Sequence, residues 1–483
     1  MKNKSQYIWS LLGRFLPSFT FLLATIILAR LLTPDDFGLV GVLAILFTVA
    51  GTLTDAGLGG SLIKEKTITD LDCSTIFNFN IVISSFLYII LFFSADFIES
   101  YFNMTNLSIV TRLLSLSFFI NAFSLVPKAL MMRRLQFKEL FLISIISTII
   151  GALLSIGAAY LGMGVYALII YYLSSYFITS LLSVFCGRFR YSLSFSLNSF
   201  RKLVPFGLFT SISAIIDTIY ENILSSMFGK VMGVTVAGNF YQAKKTEEAV
   251  TSSLASSVGL VAFPVLAELK DDKEGFIGES RSILLSVSGV LFPAILLLSI
   301  YSDEVILFLY GNQWIESALF FKLLMFAGCF MIIENLNRSF IKSLGLGHTL
   351  FNVALVKRGF GISLLFLMSF VNKEYLVHTY IACSFIGYLI NQISLSKYLG
   401  MSVFKELIIL SKVLIPNLLL LLIINSIRSC FNNYFIEAAI ETPLLLIYYY
   451  VYLPQNGINL AVELTKGLWL KIKNANNNDK KNY

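Results

Sequence analysis

The residues best placed to do chemistry in this sequence are charged side chains set inside long apolar stretches. Residues 203–229 carry Thr210, Ser213, Asp217, Glu221 and Ser225 at steps of three or four, so a helix puts all five on one face. Residues 233–263 carry Tyr241, Lys244, Lys245, Glu248 and Ser252 on an overlapping face. A charge inside a membrane helix costs about 2.5–3.5 kcal/mol on insertion scales, so it faces a cavity or a partner. Two readings follow. The stripes line a wet cavity and touch a substrate or ion, or they pair structurally, Lys245 with Asp217 or Lys244 with Glu248. Arg14 lies deep in the first apolar stretch between Gly13 and Pro17, where a helix can open or bend. Its guanidinium either grips a phosphate with two donors or snorkels to the headgroups. Asp55, beside Gly57, Gly59 and Gly60, is a secondary candidate, as are Glu334 and Arg338, whose spacing of four also suits self-pairing. Arg30 lies next to Asp35 and Asp36 and reads as an interfacial ion pair.

No catalytic constellation accompanies these charges. Walker A, GxSxG and HExxH sequences are absent. The only histidines, His348 and His378, are 30 residues apart, and the five cysteines form no CxxC. The expectation is a protein that is not an enzyme, with no metal and no cofactor. Any energy coupling would come from an ion gradient, H+ or Na+, or from a substrate gradient.

The elements that must position these charges are membrane helices. Of the 483 residues, 57% are hydrophobic and 13% charged, against about 25% charged in a soluble domain. Mean hydropathy is +0.80. Fourteen stretches are long and apolar enough to span: 7–32, 37–63, 75–97, 107–131, 139–161, 164–186, 203–229, 233–263, 282–301, 314–341, 350–371, 375–397, 407–427 and 433–453. Continuous runs of this length exclude a β-barrel. The fold class is all-α, a polytopic helical bundle. Placing both termini in the cytoplasm puts 26 Lys and Arg there, Lys357 and Arg358 among them. The far side holds Arg112, Lys230, Lys373 and Arg428.

The chain divides into lobes at 1–186 and 203–397, joined by a basic cytoplasmic linker at 187–202. Two further helices follow at 407–453, then a surface-lying amphipathic helix at 457–473 and a disordered tail at 474–483. A faint internal echo, near 200 residues in offset, relates the connector ending at Gly38 to the one running into Gly238-Asn239-Phe240. An even number of helices per repeat keeps both halves in the same orientation, about a pseudo-twofold along the membrane normal.

Several short stretches recur in one known family. They are Ala29-Arg-Leu-Leu-Thr-Pro-Asp-Asp-Phe-Gly38, Asp55-Ala-Gly-Leu-Gly-Gly-Ser-Leu-Ile63, Arg134-Leu-Gln-Phe137-Lys138 and Gly162-Met-Gly164-Val-Tyr-Ala-Leu168. Pro205-Phe-Gly207, Gly238-Asn-Phe-Tyr241, Phe263-Pro264, Gly311-Asn-Gln-Trp314 and Leu344-Gly-Leu-Gly347 complete the set. In this order and spacing the chain resembles the bacterial polysaccharide flippases, the Wzx-like branch of the multidrug/oligosaccharidyl-lipid/polysaccharide exporter superfamily, of which the MATE transporters are another branch.

The resemblance implies two six-helix lobes around a central cavity that opens alternately to each side of the bacterial inner membrane. The implied substrate is an undecaprenyl-diphosphate-linked oligosaccharide repeat unit, flipped to the periplasmic leaflet for lipopolysaccharide O-antigen, capsule or exopolysaccharide assembly. The implied partners are the bilayer, that glycan lipid and other assembly proteins such as a polymerase or chain-length regulator, with no nucleic acid. In this reading Arg14, Lys244 and Lys245 contact diphosphate or acidic sugar, while Asp217, Glu221 and Glu248 hold those cations or titrate in coupling. Two alternatives stay open: an ion-coupled multidrug antiporter of the same superfamily, and a membrane-embedded polysaccharide polymerase.

Overall fold

A computed structural model describes residues 2–453, apart from 56–57, 66, 188, 190 and 431–433. The side chains of 2–8, 11, 14, 55, 58, 205–213, 252–261, 264, 429–430 and 434–439 also lie outside the described set. Arg14, Asp55, Thr210, Ser213 and Ser252 thus have described helical backbone only, and the segments at 457–473 and 474–483 lie outside the described residues.

The described residues form helices and no strand. These are α1 (Lys2–Leu31), α2 (Pro34–Asp55), α3 (Leu58–Lys64), α4 (Asp70–Phe102), α5 (Leu107–Arg133), α6 (Phe137–Tyr160), α7 (Val165–Gly187) and α8 (Leu197–Met232). There follow α9 (Val234–Glu268), α10 (Lys273–Ile300), α11 (Ser302–Tyr310), α12 (Ile315–Ser343), α13 (Gly347–Val371), α14 (Leu376–Leu399), α15 (Val403–Cys430) and α16 (Tyr434–Ile447). Each of the fourteen expected stretches lies on helix, although 37–63 is two helices, α2 and α3. Among the described residues ten helical segments are long and apolar enough to cross a bilayer. The chain is a multi-pass membrane protein.

Local chemistry sets the helix ends. Thr69 caps α4 by accepting from the Asp72 amide at 3.2 Å, and Asp72 accepts in return from the Thr69 amide at 2.9 Å. Gly162 and Gly164 turn the chain between α6 and α7 at φ +74° and +54°, where a Cβ would be strained.

The helices pack into two compact units. The first comprises Met1–Ala249, Asp303–Phe321 and Ala354–Thr379; the second comprises Val250–Ser302, Lys322–Val353 and Tyr380–Tyr483. In the second, α10 packs on α15, with the Arg281 guanidinium forked onto the Glu406 carboxylate. Asn337 of α12 donates to Gln392 of α14 at 2.9 Å.

The first unit contains a seam that explains the sequence echo. The helices α2 and α9 run parallel there. A methyl group at Gly38 would collide with the Val234 carbonyl oxygen, and one at Gly238 with the Pro34 carbonyl oxygen. Thr235 donates to Asp35 at 2.6 Å, and a Cβ at Gly41 would lie 2.8 Å from the Tyr241 Cβ. Each contact pairs a residue with the position 200 later, or with its neighbour one turn away. That reciprocity is what a local twofold between two parallel helices requires. Small residues at the seam let the backbones meet in a medium that offers no other strong driving force for helix association.

Near this seam, α1 and α2 are stitched to the turn that leads into α12, across nearly 290 residues of sequence. Trp314 and Gln313 both donate to the Ala29 carbonyl at 2.6 Å, and Gln313 reaches the Leu32 carbonyl at 3.1 Å. Phe37 meets the Trp314 ring edge-on at 5.2 Å. Arg30 donates to the carbonyls of Leu309 and Phe308 at the end of α11, so its described contacts are not the interfacial ion pair expected from the sequence. Trp314→Phe keeps the edge contact and loses one donor, for an expected cost of about 1 kcal/mol. Adding Gln313→Ala removes both described donors to the buried carbonyl, so the double variant should lose more than the sum of the singles in thermal unfolding.

The basic segment at 187–202 is strapped to the bundle. Arg134 donates to the Gly187 carbonyl at 3.2 Å, and Lys202 pairs with Glu65 at 2.9 Å. Tyr191 packs edge-on against Phe77 and Phe189 and donates to the Phe123 carbonyl at 3.2 Å. Burial pushes its phenol up to about 12, which keeps the donor proton in place at neutral pH.

Candidate functional site

The first unit gathers charges from three helices. Arg358 of α13 donates from Nε to Asp217 Oδ1 of α8 at 2.9 Å. Its guanidinium also lies 4.3 Å over the Tyr220 ring. Gly361 makes room for that ring, since a Cβ there would sit 2.6 Å from Tyr220 Cε2. On α9 the cations pair down their own helix. Lys244 Nζ donates to Glu247 Oε2 at 2.8 Å with both side chains buried, and Lys245 Nζ donates to Glu248 Oε2 at 2.8 Å with both half-buried. Glu221 is exposed one turn from Asp217, within the electrostatic reach of Arg358, Lys244, Glu248 and Asp217.

Two sequence expectations meet a different arrangement here. Among the described ion pairs each lysine takes the glutamate three residues on, and Asp217 takes an arginine from another helix, while Lys244 also lies within electrostatic reach of Glu248. Lys357 and Arg358 do not lie in a connector. They are only 5% and 7% exposed and sit about ten residues inside α13. Glu247, fully buried, is a further member that the expected stripe does not include. The signal for the arginine is present in the sequence, because the apolar stretch 350–371 encloses both cations. Glu247 stands three residues after Lys244, the other spacing that brings helical side chains together.

Tyr241 is buried and joins the set from the apolar side. Its hydroxyl lies 3.3 Å from that of Tyr172, and Lys245 Nζ sits 5.5 Å from its ring centroid. Phe21, Thr25, Phe37, Tyr171, Tyr172 and Lys245 line a narrow cavity beside it. The other candidates are elsewhere. Glu334 is buried and Arg338 half-buried on α12, in the second unit. Arg14 and Asp55 have no described side chain.

The cluster holds Lys244, Lys245 and Arg358 against Asp217, Glu221, Glu247 and Glu248, with three ion pairs among them. Such a set is tolerable in a membrane bundle only while its charges stay matched. It contains donors and acceptors that can be lent to a polar ligand.

Residues 27–319, more than half of the chain, match the family described as polysaccharide biosynthesis protein. The chain belongs to that family. It is 27% identical over 312 residues to the lipopolysaccharide biosynthesis protein WzxC of Escherichia coli (strain K12), covering 64% of this chain and 63% of WzxC. It is 25% identical over 330 residues to an uncharacterized membrane protein in the cps region of Klebsiella pneumoniae, covering 68% of each. Among solved structures, the lipid II flippase MurJ in an inward closed conformation superposes with a TM-score of 0.72 at 16% identity, covering 93% of this chain and 99% of MurJ. The fold of this family member is the MurJ-like, MATE-like helical fold.

Proposed function

We propose that this family member flips an undecaprenyl-diphosphate-linked oligosaccharide repeat unit from the cytoplasmic to the periplasmic leaflet for surface polysaccharide assembly. The observation that carries the reading is the cluster of paired charges on α8, α9 and α13. A diphosphate cannot enter hydrocarbon with its charge unsatisfied. Cations already held in the bundle would receive it, and their carboxylate partners would keep the empty site neutral. Lys245 is the cation best placed to change partner, because it is itself half-buried in its pair with Glu248, while Lys244 sits in a fully buried pair and the Arg358 guanidinium is buried. Arg14 is a further candidate for the phosphates. Glu221 and Glu248 are the carboxylates available for a coupling H+ or Na+. Two lobes in a bacterial inner membrane, with cytoplasmic termini and alternating access, complete the proposal. The WzxC relationship and the MurJ-like fold support it.

The test is Lys245→Met in a strain that lacks the chromosomal copy. The variant removes a half-buried cation and keeps the stem, and combining it with Glu248→Gln removes the pair as a unit, so that protein levels should stay near wild type in the double variant. Surface polysaccharide should fall by tenfold or more. Full export at normal protein level would remove Lys245 from the site.

A further inference from the structure

Residues 191–197 read Tyr-Ser-Leu-Ser-Phe-Ser-Leu, a strict alternation of apolar residues and serine. Residues 191–196 are neither helix nor turn and Ser196 has extended dihedrals, φ −123° and ψ 120°, so an extended path would sort the alternating side chains onto two faces. One edge of the segment is tied to α4. Asn78 donates to the carbonyls of Ser192 and Ser194 at 3.1 and 3.0 Å, and the Ser196 amide donates to Thr75 at 3.0 Å. Beyond Tyr191, which packs on Phe77 and Phe189, both faces are left open. Leu193 is 92% exposed, and Phe195 and Leu197 are each just over half exposed. Ser192 and Ser194 are exposed on the other face.

The position on α4 says what covers the apolar face. Asn78 begins the row Asn78, Val82, Phe86, Ile89, Phe93 and Phe97, at steps of three and four. Every apolar member of that row is exposed, which in a membrane helix is a lipid-facing stripe. The segment therefore lies across the end of a surface already turned to lipid. Depth agrees. From Asn78 to Phe102 the helix rises about 36 Å, close to a hydrocarbon core of about 30 Å plus a margin, while Asp70 to Asn78 adds about 12 Å beyond it. One turn past Leu197, the exposed Arg201 and Lys202 place cations at headgroup level.

We propose that residues 191–196 lie as an extended segment in the headgroup layer of the bilayer, with Leu193, Phe195 and, at the start of α8, Leu197 in phospholipid acyl chains and the serines facing water. The segment runs directly into α8, so it fixes the start of the helix that carries Asp217 to the membrane surface. This holds whatever the protein transports.

The test is photocrosslinking of the full chain in native membranes, with p-benzoylphenylalanine incorporated singly at Leu193, Ser194 or Phe195. The expected result is phospholipid adducts by mass spectrometry at 193 and 195, several-fold above those at 194. Equal yields at all three positions, or none at any, would overturn the segment's orientation. Adducts at 193 and 195 to another polypeptide, or to a polyprenyl lipid, would overturn the assignment of bulk phospholipid as the occupant.

Discussion

Arg358→Met is expected to cost about 3–5 kcal/mol of stability and to abolish export. The guanidinium is buried, bonded to Asp217 at 2.9 Å and stacked on Tyr220, and its loss strands a carboxylate inside the bundle. The double variant Asp217→Asn with Arg358→Met removes the pair as a unit. It should recover most of the lost stability, because an ion pair replaced by neutral groups is often close to neutral in energy. Export should stay lost in the double variant, since the charges themselves are what a diphosphate needs. Thermal unfolding of purified protein and surface polysaccharide in a deletion strain read the two effects separately. Recovery of export together with stability would make the Asp217–Arg358 pair structural only.

Gly238→Val is the second large effect. Its Cβ would run into the Pro34 carbonyl oxygen across the seam, backbone against side chain, where neither helix can yield without breaking the reciprocal contact at Gly38. Overpacking usually costs about 1–3 kcal/mol, and a clash with backbone belongs at or above the top of that range. Little folded protein should reach the membrane. Gly157→Ala in α6 and Gly278→Ala in α10 are the controls. Nothing lies within 4 Å of a methyl group at either position, and neither has a positive φ. Both should be neutral or stabilising by about 0.5–1 kcal/mol, the ordinary gain from replacing a mid-helix glycine.

The helices are legible in the sequence because hydropathy in a membrane protein reports directly on burial in lipid. The echo near Gly38 and Gly238 is legible as spacing, while its cause, a parallel seam closed by small residues, needs the backbone positions. The charge cluster is half legible. The helical period puts Asp217 and Lys245 on polar faces, but period does not choose between partners three and four residues away. Arg358 escapes because a positive-inside count assigns any cation near a helix end to the adjacent connector. Only its bond to Asp217, from α13 to α8, shows that it is held inside the bundle. Segment 187–202 reads as a basic linker by composition, and its ties to Asn78, Phe123 and Thr75 are long-range contacts that no local pattern announces.

Movement of a complete lipid-linked repeat unit between leaflets is tested most directly in a strain of the native host that lacks this chain. Its lipids are extracted, and the leaflet holding the undecaprenyl-diphosphate-linked unit is determined by accessibility to an impermeant glycan-modifying reagent in intact spheroplasts. Complete units trapped on the cytoplasmic leaflet, with surface polysaccharide missing, are expected if the chain is the flippase. Single units that reach the periplasmic leaflet and remain unpolymerised would show that another protein flips them.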